Sequence, residues 1–86
     1  MPRFIITRTL PPLTPEQLEA VRVESTRACN TLGITWVRSN LSADGKYSFC
    51  EYDAPDEAAI REHSRITGIP FDEITPLGFE LGPSWS

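Results

Sequence analysis

The chain has 86 residues, two cysteines and a net charge of −4. That length fits one domain, and the acidic balance argues against nucleic acid and against an anionic membrane surface. No apolar run approaches the roughly 20 residues of a membrane-spanning helix, and Phe4 to Ile6 is too short for the apolar core of a secretory leader.

A domain this small buries only roughly 60–65% of its unfolded surface, so pairing with a second copy is a natural source of further burial. Cys29 and Cys50 lie far apart and form no CxxC. Reduced thiols in the cytoplasm are therefore expected. All but one of the eight basic residues are arginine, the exception being Lys46. Arginine is the better bidentate partner for carboxylates.

Arg3 to Thr9 is rich in β-branched side chains and reads as a strand, ended by Pro11 and Pro12. Thr14, Pro15 and Gln17 then form a capping box with proline at the first helical position. Leu13 and Leu18 are placed to act as a hydrophobic staple. Leu18, Val21, Ser25, Ala28, Cys29 and Leu32 follow at helical spacing, and Gly33 supplies a left-handed C-cap.

A second strand is predicted over Ile34 to Leu41 and a third over Lys46 to Asp53, joined at Asp44-Gly45. A second helix starts at the N-cap Asp56, carries Ala59, Ile60, His63, Ile66 and Thr67 on one stripe, and ends at Gly68. A last strand runs from Asp72 to about Phe79, where Pro76 indicates an edge or a bulge.

The order β-α-β-β-α-β is that of the ferredoxin-like plait, an α+β fold in which two helices cover one face of a four-stranded antiparallel sheet. The domain is placed at 1–80, with 81–86, including Trp85, as a patternless tail. Both faces of the third strand carry apolar groups: Tyr47 and Phe49 on one, Cys50 and Tyr52 on the other. Two helices cover one face only, so a homodimer is expected to cover the second.

His63 is the most informative side chain, because it sits on the apolar stripe of its helix. It reads either as a satisfied core histidine or as a neutral imidazole facing a guest. Buried, it must place its N–H on an acceptor, with Glu51, Tyr52 or a backbone carbonyl as candidates. Cys50 reads as an inert strand thiol or as a soft metal ligand. His63 and Cys50 alone make an incomplete metal site, which a two-fold dimer would double.

Trp36 and Arg38 are two residues apart, so a regular strand sends both to one face. There they form an aromatic wall with a guanidinium for an anion, or an interface tryptophan and an arginine paired with Glu51. Hairpin register decides what they meet. A two-residue loop sets Arg38 opposite Glu51, and a three-residue loop sets it beside Cys50 and Tyr52. The sequence has no phosphate-binding glycine loop, hence no expected nucleotide, and too few cysteines for an iron–sulfur cluster.

The segments Trp36-Val37-Arg38-Ser39, Phe49-Cys50-Glu51-Tyr52-Asp53-Ala54-Pro55, Glu57-Ala58-Ala59-Ile60-Arg61, Gly68-Ile69-Pro70 and Asp72-Glu73-Ile74 together resemble a family of small bacterial proteins of undefined function. Some of its members are called nickel-binding proteins. The resemblance implies a ferredoxin-like fold, a dimer and a divalent metal site. The position of Arg38 is often histidine in that family, and arginine offers a metal no lone pair.

The leading expectation is thus a cytoplasmic homodimeric binding protein for a divalent metal such as nickel, held by His63 and Cys50. The alternative is a cofactor-independent dimeric α/β-barrel enzyme, monooxygenase- or isomerase-like. Trp36, Arg38, Tyr52 and His63 would line its pocket, with Arg38 orienting a small anionic substrate and His63 as acid and base. A structural dimer without a site is the third reading.

Overall fold

The computed structural model describes residues 1–83; Trp85 lies outside the described residues. The elements are β1 (Arg3–Thr9), α1 (Pro15–Leu32), β2 (Thr35–Leu41), β3 (Tyr47–Asp53), α2 (Glu57–Thr67) and β4 (Glu73–Leu77). They form the expected plait, with the antiparallel sheet in the order β2-β3-β1-β4.

Local chemistry sets the helix ends. Thr14 Oγ1 accepts from the Gln17 amide at 3.2 Å, and Gln17 Oε1 accepts from the Thr14 amide at 2.8 Å, closing the capping box. Asp56 caps α2 through the Ala59 amide at 2.9 Å. Gly33 and Gly68 end the two helices at φ 68° and 72°, a left-handed conformation that disfavours a side chain. Pro76 lies in β4, an edge strand, where its missing N–H breaks no inner ladder.

The inner face of the sheet follows strand alternation. Phe4, Ile6 and Arg8 of β1 and Ser48, Cys50 and Tyr52 of β3 are buried beneath the helices. The core gathers Phe4, Ile6, Cys29, Ile34, Tyr52 and Ile60. Burial along the two helix stripes is incomplete. Ser25, Ala28 and Cys29 of α1 are covered, as are Ile60 and His63 of α2, but Leu18 and Ile66 remain exposed. The N-terminal half of α1 stands away from the sheet and leaves a cavity.

The outer face is mixed. Tyr47, Phe49 and Leu77 are each over two-fifths exposed. Between them Arg3 clamps Asp53 through Nε and Nη2 at 2.8 and 3.1 Å, and Arg38 meets Glu51 at 3.1 Å.

The hairpin keeps the pairing of a two-residue loop through Arg38↔Glu51, and a bulge at Val37 then restores Trp36↔Tyr52. The turn itself is wider. Ser42 bonds Tyr47 across it, and Gly45, at φ 74°, donates to the Ser42 carbonyl. Because a bulge adds one residue to one strand, it sends Trp36 and Arg38 to opposite faces. The expectation that they share a face is therefore corrected.

Candidate functional site

Between the N-terminal half of α1 and the sheet lies a cavity of about 440 Å3, within the range of small-molecule sites. Its walls are largely apolar, with Leu10, Leu13, Leu18, Val21, Trp36 and Ile69 contributing most of the hydrocarbon. Polar groups enter from the sheet and from the middle of α1: Arg8, Ser48, Cys50 and Tyr52 from the strands, and Ser25 from the helix.

Under this cavity the buried side chains form one connected group. Ser25 Oγ and His63 Nε2 are 2.9 Å apart. The His63 ring stands 5.4 Å from the Tyr52 ring, tilted by 51°. Tyr52 meets Trp36 edge-on at 6.4 Å, and the Arg8 guanidinium lies 5.9 Å from the Tyr52 ring centre. Trp36 Nε1 donates to Ser39 Oγ at 2.8 Å, which satisfies the indole without a ligand. Cys50 Sγ has only a long contact of 3.9 Å, to Ser48 Oγ.

Electrostatics keeps the titratable members neutral. Burial, and then the nearby Arg8 charge, push the His63 pKa from 6.5 down to about 4. Burial pushes the Tyr52 hydroxyl up to about 12 against the opposing pull of Arg8, and raises the Cys29 thiol in the same way. His63 Nδ1 is buried without a hydrogen-bond partner among the described residues. The arrangement that strands least is Nε2–H donating to Ser25 Oγ, because an unpaired lone pair at Nδ1 is tolerated better than an unpaired N–H. Ser25 then has its own proton to offer Tyr52 or Cys29, both of which it supports.

Each predicted site residue can now be placed. Trp36, Tyr52 and Cys50 line the cavity. His63 is fully buried, but its partner is Ser25 rather than Glu51, Tyr52 or a carbonyl. It is not a wall residue; it meets the cavity-lining Ser25. Arg38 does not join the group. It is 58% exposed on the opposite face and paired with Glu51, so the guanidinium expected to orient an anion is in the wrong place.

The buried guanidinium at the cavity is that of Arg8, which is 3% exposed; Arg22 also lines it, but is exposed and paired with Glu19. Sequence reasoning missed Arg8, although the signal was there: Arg8 follows Phe4 and Ile6 in strict alternation on the core face of β1. Ser25 was legible as a member of the α1 stripe, though not as the hub it is.

The donor set does not suit a divalent cation. Among the described residues no group of three or more His, Cys, Asp or Glu side chains converges. His63 offers at most one lone pair, and the Arg8 charge that depresses its protonation opposes any other cation there in the same way. With no exposed surface, His63 has no route to a ligand from a second copy.

Fold and cavity together define a one-sided ferredoxin-like α+β protein with a small-molecule-sized chamber under its first helix. Residues 4–77 match the family described as SCO4226-like, nickel responsive protein SCO4226-like, and the chain belongs to that family. Its fold is similar to that of SCO4226 from Streptomyces coelicolor A3(2), with a TM-score of 0.80 at 14% identity, covering 92% of this chain and 99% of that one. Among curated proteins none matches this sequence.

The buried imidazole makes a pH prediction. A histidine with a folded-state pKa near 4 and an unfolded value of 6.5 takes up a proton on unfolding between those values. Stability is thus fully retained above about pH 6.5 and lost as pH falls toward 4, by on the order of 3 kcal/mol. Urea unfolding at stepped pH should give the wild type a steeper loss across that window than His63→Gln, in which the carboxylates still titrate but the imidazole is gone.

Proposed function

We propose that the protein is a cytoplasmic homodimeric small-molecule binder, and that its ligand occupies the cavity between α1 and the sheet. The observation that carries this reading is the cavity itself: a largely apolar chamber of about 440 Å3 with a few polar groups on its strand side, the usual composition of a ligand pocket. Two buried free cysteines fit a reducing compartment. The membership in a nickel responsive family supports a link to nickel. The geometry favours one in which the metal is not held by His63 and Cys50, for the charge and donor reasons given above.

Binding is favoured over catalysis. The one imidazole is hydrogen-bonded to Ser25 instead of facing the chamber, and Tyr52 with a pKa near 12 is a poor proton donor at neutral pH. A second copy is proposed to cover the outer face of the sheet, where Tyr47, Phe49 and Leu77 are each over two-fifths exposed.

Three measurements follow. A neutral apolar probe, 1-octanol, should raise the melting temperature and alter the fluorescence of Trp36. Filling the chamber with Val21→Trp should weaken that binding about tenfold or more; a wild type indifferent to 1-octanol would remove the pocket reading. In nickel calorimetry any heat of the wild type should persist in His63→Gln, and its disappearance would return His63 to the role of ligand. By light scattering the wild type should have the mass of two chains and Phe49→Lys that of one, because a charge set against its own symmetry mate opposes the interface. A monomeric wild type would end the dimer proposal.

A further inference from the structure

Arg8 is an unusual side chain for the interior of a small domain. It is 3% exposed and lines the cavity, yet its Nε and Nη2 have no hydrogen-bond partner among the described residues. A buried cation without a counter-charge is strongly unfavourable. The neighbours do not supply one: Tyr52 and His63 are both held neutral, and the remaining polar wall groups are hydroxyls, a thiol and Arg22, itself a cation whose guanidinium is paired with Glu19.

The two unpartnered nitrogens are not an arbitrary pair. They form one edge of the guanidinium, with two parallel N–H bonds spaced for the two oxygens of a carboxylate. The same protein uses this edge elsewhere: Arg3 binds Asp53 through Nε and Nη2 at 2.8 and 3.1 Å. On Arg8 the corresponding edge is unmatched, next to a chamber walled by Leu10, Leu13, Leu18, Val21 and Ile69.

We propose that the ligand of this cavity is a monocarboxylate with an apolar body, its head group held by the Nε and Nη2 edge of Arg8 and its hydrocarbon lying along α1. This rests on the reading of the cavity as a binding pocket. Both nitrogens are covered by protein, so the guanidinium turns toward the chamber as the carboxylate enters. The pair that forms neutralises the one buried charge, and the apolar walls exclude the water that would otherwise screen it. The acidic surface of the chain would slow the approach of an anion, so selectivity for the carboxylate arises inside the cavity and not from long-range steering.

The test compares octanoate with 1-octanol, which share a chain and differ in the head group, by calorimetry on the wild type, Arg8→Met and Arg8→Lys. In the wild type octanoate should bind about tenfold or more tighter than the alcohol, the ratio expected for a charge-assisted bidentate contact. Arg8→Met should keep the alcohol, lose the octanoate advantage and melt higher than the wild type, since a hydrophobe replaces an unpaired charge. Arg8→Lys, with the charge but not the fork, should retain only part of the advantage. A wild type that binds both probes equally overturns the proposal while leaving the pocket intact, as does an octanoate advantage that survives Arg8→Met. Binding of neither probe overturns the pocket reading and this one together.

Discussion

A guanidinium enclosed by a small protein constrains every group around it. Arg8 occupies the inner face of β1, in phase with Phe4 and Ile6, where an aliphatic side chain would ordinarily complete the core. Its charge acts on each titratable neighbour. It adds to the burial that holds His63 unprotonated, and pulls the Tyr52 hydroxyl downward against a larger push from burial. His63, neutral and enclosed, then depends on Ser25 for its hydrogen bond, so a helix-stripe serine joins the two helices under the sheet. The same charge that reinforces burial in keeping the imidazole neutral makes the interior hostile to a divalent cation and favourable to an anion.

The bulge at Val37 separates two tasks that a regular strand would have combined. Trp36 turns inward, packs edge-on against Tyr52 and walls the cavity, whereas Arg38 turns outward to Glu51. An inward Arg38 would have put a second guanidinium beside Arg8, with like charges in a poorly hydrated space. Instead the outer face holds two arginine–carboxylate pairs, Arg3 with Asp53 and Arg38 with Glu51, beside exposed Phe49 and Tyr47. Bulges commonly re-aim side chains in this way at the edges of sheets and beside functional sites, and β2 is an edge strand of this sheet.

Much of the fold was legible because it is written in local signals. Caps at Thr14 and Asp56, stops at Gly33 and Gly68, and the two-residue alternation of β1 and β3 each fix an element without reference to distant residues. Alternation along β3 put Cys50 and Tyr52 on one face, but the face of Trp36 was open in the sequence because it depends on the hairpin register. His63 was legible as buried from its position on the stripe, but not its partner, because Ser25 lies on another helix and only packing brings the two together. The face of Arg38 depended on a bulge that no turn signal announces, since an extra residue in one strand leaves the hydrophobic pattern nearly unchanged. Arg8 was legible and overlooked: its strand reads as a core strand, and a charged residue in core phase is informative for the very reason that it is out of character.

A short domain has little stability to spare, and for packing alone methionine or leucine would fill the same space without the cost of an unpaired internal charge. What distinguishes Arg8 from the other internal polar groups is that it is charged and has two unpartnered donors on one edge, whereas His63 Nδ1 and Ser64 Oγ are single unpartnered atoms of neutral groups. Trp36 is satisfied by Ser39, and His63 has Ser25 at one nitrogen. Ser48 is contacted by Cys50 Sγ at 3.9 Å. Among the described residues Arg8 alone has a two-point donor edge that the fold leaves unmatched, and the edge lies covered beside the cavity that the residue lines. Stability lost at a position that adjoins a chamber is the usual physical signature of a site built for something the chain itself does not contain. The nickel response of the family and the anion-shaped interior of this member need not share a site, since the features that repel a cation from His63 are the ones that make Arg8 a receptor.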